Sequence, residues 1–297
     1  MQDTKPNSGD VEIPRLRGLA EVADAYDAFL IDAWGVLLDG VRVYPGVIGC
    51  LQQLRRTGKR VIVLTNAARR ESVVAQGMHA LGLGTDLYDS IVSSGELTWI
   101  ALSTRADPFH ARLGDTCYYL GPERSRGLLD GTGLTLTDQL EEADFVLTTG
   151  PLGEHEPDIE PYQGLLAQAA RQGLPMVCAN PDHAAIRGGT RGISAGAIAS
   201  AYRSLYAAEV RFHGKPYAEI YAHACTRAGV PRERILAIGD GLNTDILGAN
   251  RASLPSLFIA GGLHEVDLQT PDSSAQLQAL FREYGCRPDT VLQSLSW

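Results

Sequence analysis

Asp32 interrupts the apolar run AFLIDAWGVLL at residues 28–38. A carboxylate in such a run is costly unless it is paired or bound to a metal, so its presence points to a site. Read singly, it is a turn or helix-cap aspartate at a strand end. The stretch ILAIGDGLNTDILGAN at 235–250 adds Asp240 at a second strand end and Asp245 at the start of a helix. With Asp32 these supply three oxygen donors for a hard divalent cation, whereas alone Asp245 is a first-turn helix charge and Asp240 an Asx turn. Thr65 and Asn66 close the run VIVLTN just ahead of RRESVV. A hydroxyl, an amide and backbone N–H groups there either meet an anion or simply cap a helix. Lys215, in FHGKPYAEIY, precedes Pro216 at a helix start, in a chain whose only other lysines are Lys5 and Lys59.

The elements that must position these residues read as α/β. Short β-branched runs alternate with amphipathic stretches, which argues for βαβ units and a mostly parallel sheet. The runs 28–38 and 60–66 are near-continuously apolar, as central strands covered on both faces are. Between them PGVIGCLQQLRRTGK begins at Pro45, puts Val47, Ile48, Leu51 and Leu54 on one helical face and ends at Gly58. From about residue 107 the pattern changes. TCYYLGP, DFVLTTGP and PMVCANPD read as strands, EPYQGLLAQAARQG as a helix and RGGTRG as a glycine-rich turn. The first pattern then resumes with PYAEIYAHACTRAGV, ILAIGD and SLFIAGG. The middle block is therefore an insertion, with residues 1–98 and 208–297 forming the core and 99–207 an inserted α/β domain. On the 193–210 helical pattern Ile198, Tyr202 and Leu205 share a face, for packing or for a homodimer contact. Tyr118, Tyr119 and Tyr206 also read as core or interface residues, and a polar stretch, QTPDSSAQ, precedes a last helix, LQALFREYG.

Composition removes several classes. With 297 residues, 44% apolar and 21% charged, the chain is an ordinary globular one. Its 26 basic against 35 acidic residues give a net charge of −9, which repels a phosphate backbone and disfavours nucleic acid as a partner. No stretch approaches the ~18 apolar residues of a membrane span, and MQDTKPNSGDVEIPRLRG at the N-terminus has no apolar core. The five cysteines, Cys50, Cys117, Cys178, Cys225 and Cys286, form no CxxC pair, implying neither a zinc site nor a disulfide framework. The expectation is a reduced, cytoplasmic protein.

Taken in order, Asp32, Thr65, Lys215 and the set Gly239, Asp240, Thr244 and Asp245 resemble the motifs of the haloacid dehalogenase superfamily, over nearly the whole chain. The insertion between the second and third motifs is similar to that of the class IIA branch, which includes sugar-phosphate, nitrophenylphosphate and pyridoxal-phosphate phosphatases. ANPD at 179–182, the glycine turn at Gly188 and Gly189, and GKPY at 214–217 are similar to its pattern. The resemblance implies a Rossmann-like parallel-sheet core with an inserted α/β cap that selects a small phosphorylated metabolite. It implies that Asp32 attacks phosphorus, that Thr65 and Lys215 hold the phosphoryl oxygens, and that Asn66, Asn180 and Asp182 contact substrate. It also implies Mg²⁺ held by Asp32, the Trp34 backbone carbonyl, Asp240 and Asp245.

At Trp34 the pattern breaks, because the family carries there a second aspartate that protonates the leaving group and then activates water. Three readings stay open: a phosphatase using another acid or a good leaving group, a different member reaction such as dehalogenation, or a phosphate-metabolite sensor that has lost catalysis. His183 and His264 are the candidate replacement acids. Residues 99–207 contain no lysine for imine chemistry, which weighs against phosphonate cleavage, and the pair Asp240 and Asp245 ranks carbon-attacking dehalogenation behind phosphatase.

Overall fold

A computed structural model of the chain describes residues 13–153, 156–187, 190–264 and 274–297. The glycine turn at Gly188 and Gly189 lies outside them, as does most of the QTPDSSAQ stretch. Its strands are β1 (Ala28–Ile31), β2 (Arg60–Thr65), β3 (Ser90–Ser93), β4 (Thr116–Leu120), β5 (Thr135–Thr137), β6 (Phe145–Thr148) and β7 (Met176–Cys178). There follow β8 (Ala184–Arg187), β9 (Thr190–Ile193), β10 (Val210–Phe212), β11 (Ile235–Gly239), β12 (Ser256–Ile259) and β13 (Thr290–Leu292).

One six-stranded sheet runs β13-β12-β11-β1-β2-β3, with every neighbouring pair parallel. Its central strands are buried on both faces, so they are apolar throughout, and the two-residue period appears only in what each side chain touches. Phe29, Ile31, Val61, Val63, Leu236 and Ile238 meet the helices Val47–Arg56 and Glu71–Ala80 on one side. Ala28, Leu30, Ile62, Leu64, Ile235 and Ala237 meet the helix Ala218–Ala228 on the other. From β1 the chain steps to β2 and β3 on one side, and β11 later returns on the opposite side. That reversal opens a crevice at the C-terminal strand ends, where open α/β sheets place their ligands.

A second parallel sheet, β10-β7-β6-β4-β5, is built wholly from chain between β3 and β11. Val146, Met176 and Cys178 pack with Ile198 and Tyr202 on one face. On the other, Phe145, Leu147 and Val177 pack with Ala68 and Leu102, side chains that come from the loop after β2 and the helix Ser94–Thr104. An antiparallel pair, β8 with β9, completes the unit. The boundary read at 98/99 falls inside the helix Ser94–Thr104, and β10, beyond residue 207, pairs with β7 of the second sheet.

Several local expectations change. The apolar run 28–38 is a strand only to Ile31, after which Val36, Leu37 and Leu38 fold as a buried turn under the same core. Apolarity reports burial, not extension, so a packed loop and a strand read alike. In the helix Val47–Arg56, Cys50 is buried with Val47, Leu51 and Leu54, while Ile48 faces outward. Ile198 and Tyr202 are buried in the second core but Leu205 is 60% exposed, since the helix ends at Tyr206 and its last turn clears the sheet. The short strands β5, β8, β9, β10 and β13 carry too few residues for a readable period. No helix among the described residues is long and apolar enough to cross a membrane.

Candidate active site

Asp32 follows β1 and Asp240 follows β11, so adjacent parallel strands deliver them side by side at the crevice. The Asp32 N–H donates to Ile238 O at 2.9 Å, extending the ladder one residue past the strand. Asp245 lies in the single π-turn Leu242–Ile246, whose last carbonyls accept from the buried Tyr221 hydroxyl: Thr244 O at 3.2 Å and Asp245 O at 3.0 Å. Asp32, Asp240 and Asp245 are all buried, and each offers an oxygen within 4.8 Å of the other two.

Glycines make this crowding possible. A Cβ on Gly35 would stand 1.8 Å from Asp240 Oδ2, and Gly35 also needs φ +80°, a conformation open to glycine. A Cβ on Gly262 would stand 2.2 Å from the same oxygen, which accepts the Leu263 N–H at 2.7 Å. Gly262→Ala is therefore expected to displace Asp240 and weaken divalent-metal binding by about 10- to 100-fold, as loss of an orienting contact around a metal ligand does. Titration calorimetry with Mg²⁺ measures it, and unchanged affinity would remove Asp240 from the metal set.

Lys215 sits among these carboxylates, 2% exposed. Its ammonium donates to Asp32 Oδ1 at 2.6 Å, Asp245 Oδ1 at 2.7 Å and Leu64 O at 3.0 Å, which uses all three of its hydrogens. Burial opposes its charge, but Asp245 and Asp32 outweigh burial and hold the ammonium well above its ordinary pKa. Burial pushes Asp32 up, and Asp245 and Asp240 add to that against the pull of Lys215. Burial, with Asp245 beside it, raises Asp240 to about 7. Ionised together, three carboxylates against one ammonium would carry an excess of two negative charges, and a divalent cation with a preference for oxygen fits that donor set.

Family models match residues 29–297: haloacid dehalogenase-like hydrolase at residues 29–135 and again at 110–253, and a related haloacid dehalogenase hydrolase-like model at 212–297. The crystal structure of a haloacid dehalogenase-like family hydrolase from Brucella suis 1330 matches with a TM-score of 0.82 and 31% identity, over 94% of this chain and 99% of that one. The chain belongs to the haloacid dehalogenase-like hydrolases. D-glycerol 3-phosphate phosphatase of Mycobacterium tuberculosis is 27% identical over 251 residues, 83% of this chain and 66% of that relative's length. A glycerol phosphate phosphatase structure from the same organism, in complex with magnesium, is 27% identical with a TM-score of 0.62, over 82% of this chain and 70% of that one.

Above the carboxylates of this hydrolase lies a cavity of about 970 Å³, lined by both units. Thr65, 1% exposed, reaches it from the end of β2, and its Oγ1 accepts the Ala67 N–H at 3.2 Å. Asn66, Asn180 and Asp182 border it too, yet the chain itself engages both ends of the two amides. Asn66 Oδ1 accepts the Lys215 N–H at 2.7 Å, and its Nδ2 donates to Lys215 O at 3.1 Å and Asp182 Oδ1 at 2.8 Å. Asn180 Nδ2 donates to Ser194 Oγ at 3.1 Å and its Oδ1 accepts the Asp182 N–H at 2.9 Å.

Trp34 stands where the family pattern has its second carboxylate. Its half-buried indole lies against Gly40, where an added Cβ would come within 2.3 Å of Cη2, and it packs on the main core. Both candidate acids line the cavity. His183 Nε2 pairs with Ser200 Oγ at 3.1 Å, and burial lowers its pKa. His264 is buried, its ring edge-on to Tyr284 with centroids 5.2 Å apart. Sequence reasoning missed Leu64 O as a partner of Lys215, because a backbone carbonyl leaves no mark in residue types. It also missed Gly35, three residues after Asp32, and Gly262, in the glycine pair that follows the strand Ser256–Ile259.

Proposed function

We propose that this hydrolase is a Mg²⁺-dependent phosphatase that cleaves a small organic phosphate monoester, a sugar phosphate or similar, through an aspartyl-phosphate on Asp32. The observation that carries the reading is the Lys215 ammonium bridging Asp32 and Asp245 beside Asp240 at the floor of the cavity. The relatives named for glycerol phosphate support the substrate class.

Asp32 attacks phosphorus, and the bond to the leaving oxygen breaks as the aspartyl-phosphate forms. Water then attacks phosphorus, releasing inorganic phosphate and restoring Asp32. Thr65 and Lys215 hold phosphoryl oxygens in line with Asp32, Lys215 by turning to the phosphoryl group the hydrogen it otherwise gives Asp32 Oδ1, and Asp245 keeps Lys215 aimed. Asp32, the Trp34 backbone carbonyl, Asp240 and Asp245 would hold Mg²⁺, which when bound offsets charge on the transferring phosphoryl group. The second sheet unit, as a cap, closes the cavity and selects the leaving group.

The competing reading, a phosphate-metabolite sensor, is favoured by Trp34, which brings no carboxylate to the leaving-group position. A panel of phosphate monoesters assayed with Mg²⁺ and with chelator separates the two. Chelator-sensitive phosphate release is expected. Silence across the panel with tight ligand binding by calorimetry favours the sensor.

The raised pKa of Asp240 sets a pH dependence. A carboxyl titrating at about 7 holds its proton below that pH, and the proton competes with the metal. The Mg²⁺ concentration for half-maximal binding should therefore be about 10-fold higher at pH 6 than at pH 8, as expected for one displaced proton. A pH-independent affinity would mean that Asp240 is already ionised at pH 6.

A further inference from the structure

We infer that Asp182, carried by the cap, is a positioning residue for Lys215: it fixes the side-chain amide of Asn66, and that amide grips the Lys215 peptide from both sides. The inference rests on the proposed function only for the task given to Lys215.

Asn66 pairs with the Lys215 peptide at two points, accepting its N–H at 2.7 Å and donating to its carbonyl at 3.1 Å. The same Nδ2 donates to Asp182 Oδ1 at 2.8 Å. Turned over, the amide would oppose its NH₂ to the Lys215 N–H, and its oxygen to two acceptors. Asp182 Oδ1 stands as an acceptor at that end, so it supplies a bond that a flipped amide, presenting its own oxygen there, cannot make. With the peptide held, the buried Lys215 side chain runs to Asp32 and Asp245, and a displacement of its backbone is carried to the ammonium.

The loop bearing Asp182 is itself closely seated. Gly196 N–H donates to Asp182 O at 3.0 Å, and a Cβ on Gly196 would stand 2.0 Å from Pro181 O. A Cβ on Gly214, the residue before Lys215, would stand 2.5 Å from Asn66 Oδ1 and 2.8 Å from Pro181 Cδ. Ser94 Oγ donates to Ala179 O at 2.6 Å. Burial pushes the Asp182 carboxyl up, while Lys215 and Asn66 pull it back. Seating of the cap loop therefore governs where Lys215 stands, and Asp182 acts through Asn66.

Because the chain has only three lysines, Lys5, Lys59 and Lys215, lysine-selective ¹³Cε and ¹⁵Nζ labelling gives an NMR spectrum in which Lys215 is assigned by elimination. In Asp182→Ala the Lys215 signal is expected to shift, and kcat to fall about 10- to 100-fold with KM within about 2-fold, as for small misplacements in an active site. Asp182→Asn, which keeps an acceptor for Asn66, restores most of both. In an Asn66→Ala background the Asp182→Ala change adds less than about 2-fold, the non-additivity expected of two links in one chain.

An unmoved Lys215 signal in folded Asp182→Ala overturns the proposal, as does a raised KM with kcat unchanged, which would make Asp182 a substrate contact. If Asp182→Ala does not fold, Asn66→Ala must move the same signal, and failure to do so overturns it equally. The spectrum requires no turnover, so an inactive wild-type protein would refute the phosphatase reading and leave this test intact.

Discussion

Asp32→Asn is expected to abolish phosphate release, by at least ~10⁴-fold in kcat, while leaving the fold in place. The amide is nearly the same size as the carboxylate but offers no nucleophilic oxygen of comparable strength, and no other described side chain follows the β1 strand end into the cavity floor with one. Stability should not suffer. Lys215 keeps Asp245 at 2.7 Å and the Leu64 carbonyl at 3.0 Å, and the substitution removes one of three crowded buried carboxylates. Burial and the neighbouring carboxylates disfavour the ionised form of Asp32, so a neutral amide there relieves that cost in the protein without metal. The thermal midpoint without metal is therefore expected to hold or rise as activity disappears. A variant that folds and still turns over would remove Asp32 as nucleophile and, with it, the aspartyl-phosphate.

Trp34→Asp is expected to act in the opposite direction. A carboxyl two residues after Asp32 can protonate a leaving alkoxide and then take a proton from water, and such acid–base help is worth about 10²- to 10⁴-fold. The gain should be large for alkyl phosphates, whose leaving groups need the proton, and small for nitrophenyl phosphate, whose leaving group does not. The half-buried indole on Gly40 is lost, at a cost below the ~3–5 kcal/mol of a fully buried tryptophan, so the variant should fold. Comparing kcat on the two ester classes reads the result. Equal rates in wild type and variant on both would mean that an acid already present serves the leaving group. His183 and His264, which both line the cavity, would then be the ones to replace in turn.

The chemistry was legible because it depends on residue types that are improbable where they stand. A carboxylate in AFLIDAWGVLL, a second and third in ILAIGDGLNTDILGAN and a lysine in GKPY are exceptions to the patterns around them, and exceptions are visible in one dimension. The insertion was legible as a change of pattern followed by its return. Less visible were the short strands and the true length of β1, since the buried turn at Val36, Leu37 and Leu38 is as apolar as a strand.

Asn66, Asn180 and Asp182 mark the limit more sharply. The family resemblance implied substrate contacts for them, but hydrogen-bond partners are assigned by packing: Asn66 joins Asp182 across 116 residues of sequence and the Lys215 backbone across 149, while Asn180 joins Ser194 across 14. By itself the sequence determined the α/β class, the interrupted core and the identities of the four charged groups, because burial periodicity and the cost of a misplaced charge are local properties. Only the tertiary structure decided that β1 and β11 lie side by side, that Lys215 divides its hydrogens among Asp32, Asp245 and Leu64, and that the Trp34 ring turns onto Gly40. Those outcomes follow from strand order and close packing between distant segments, which no local pattern encodes.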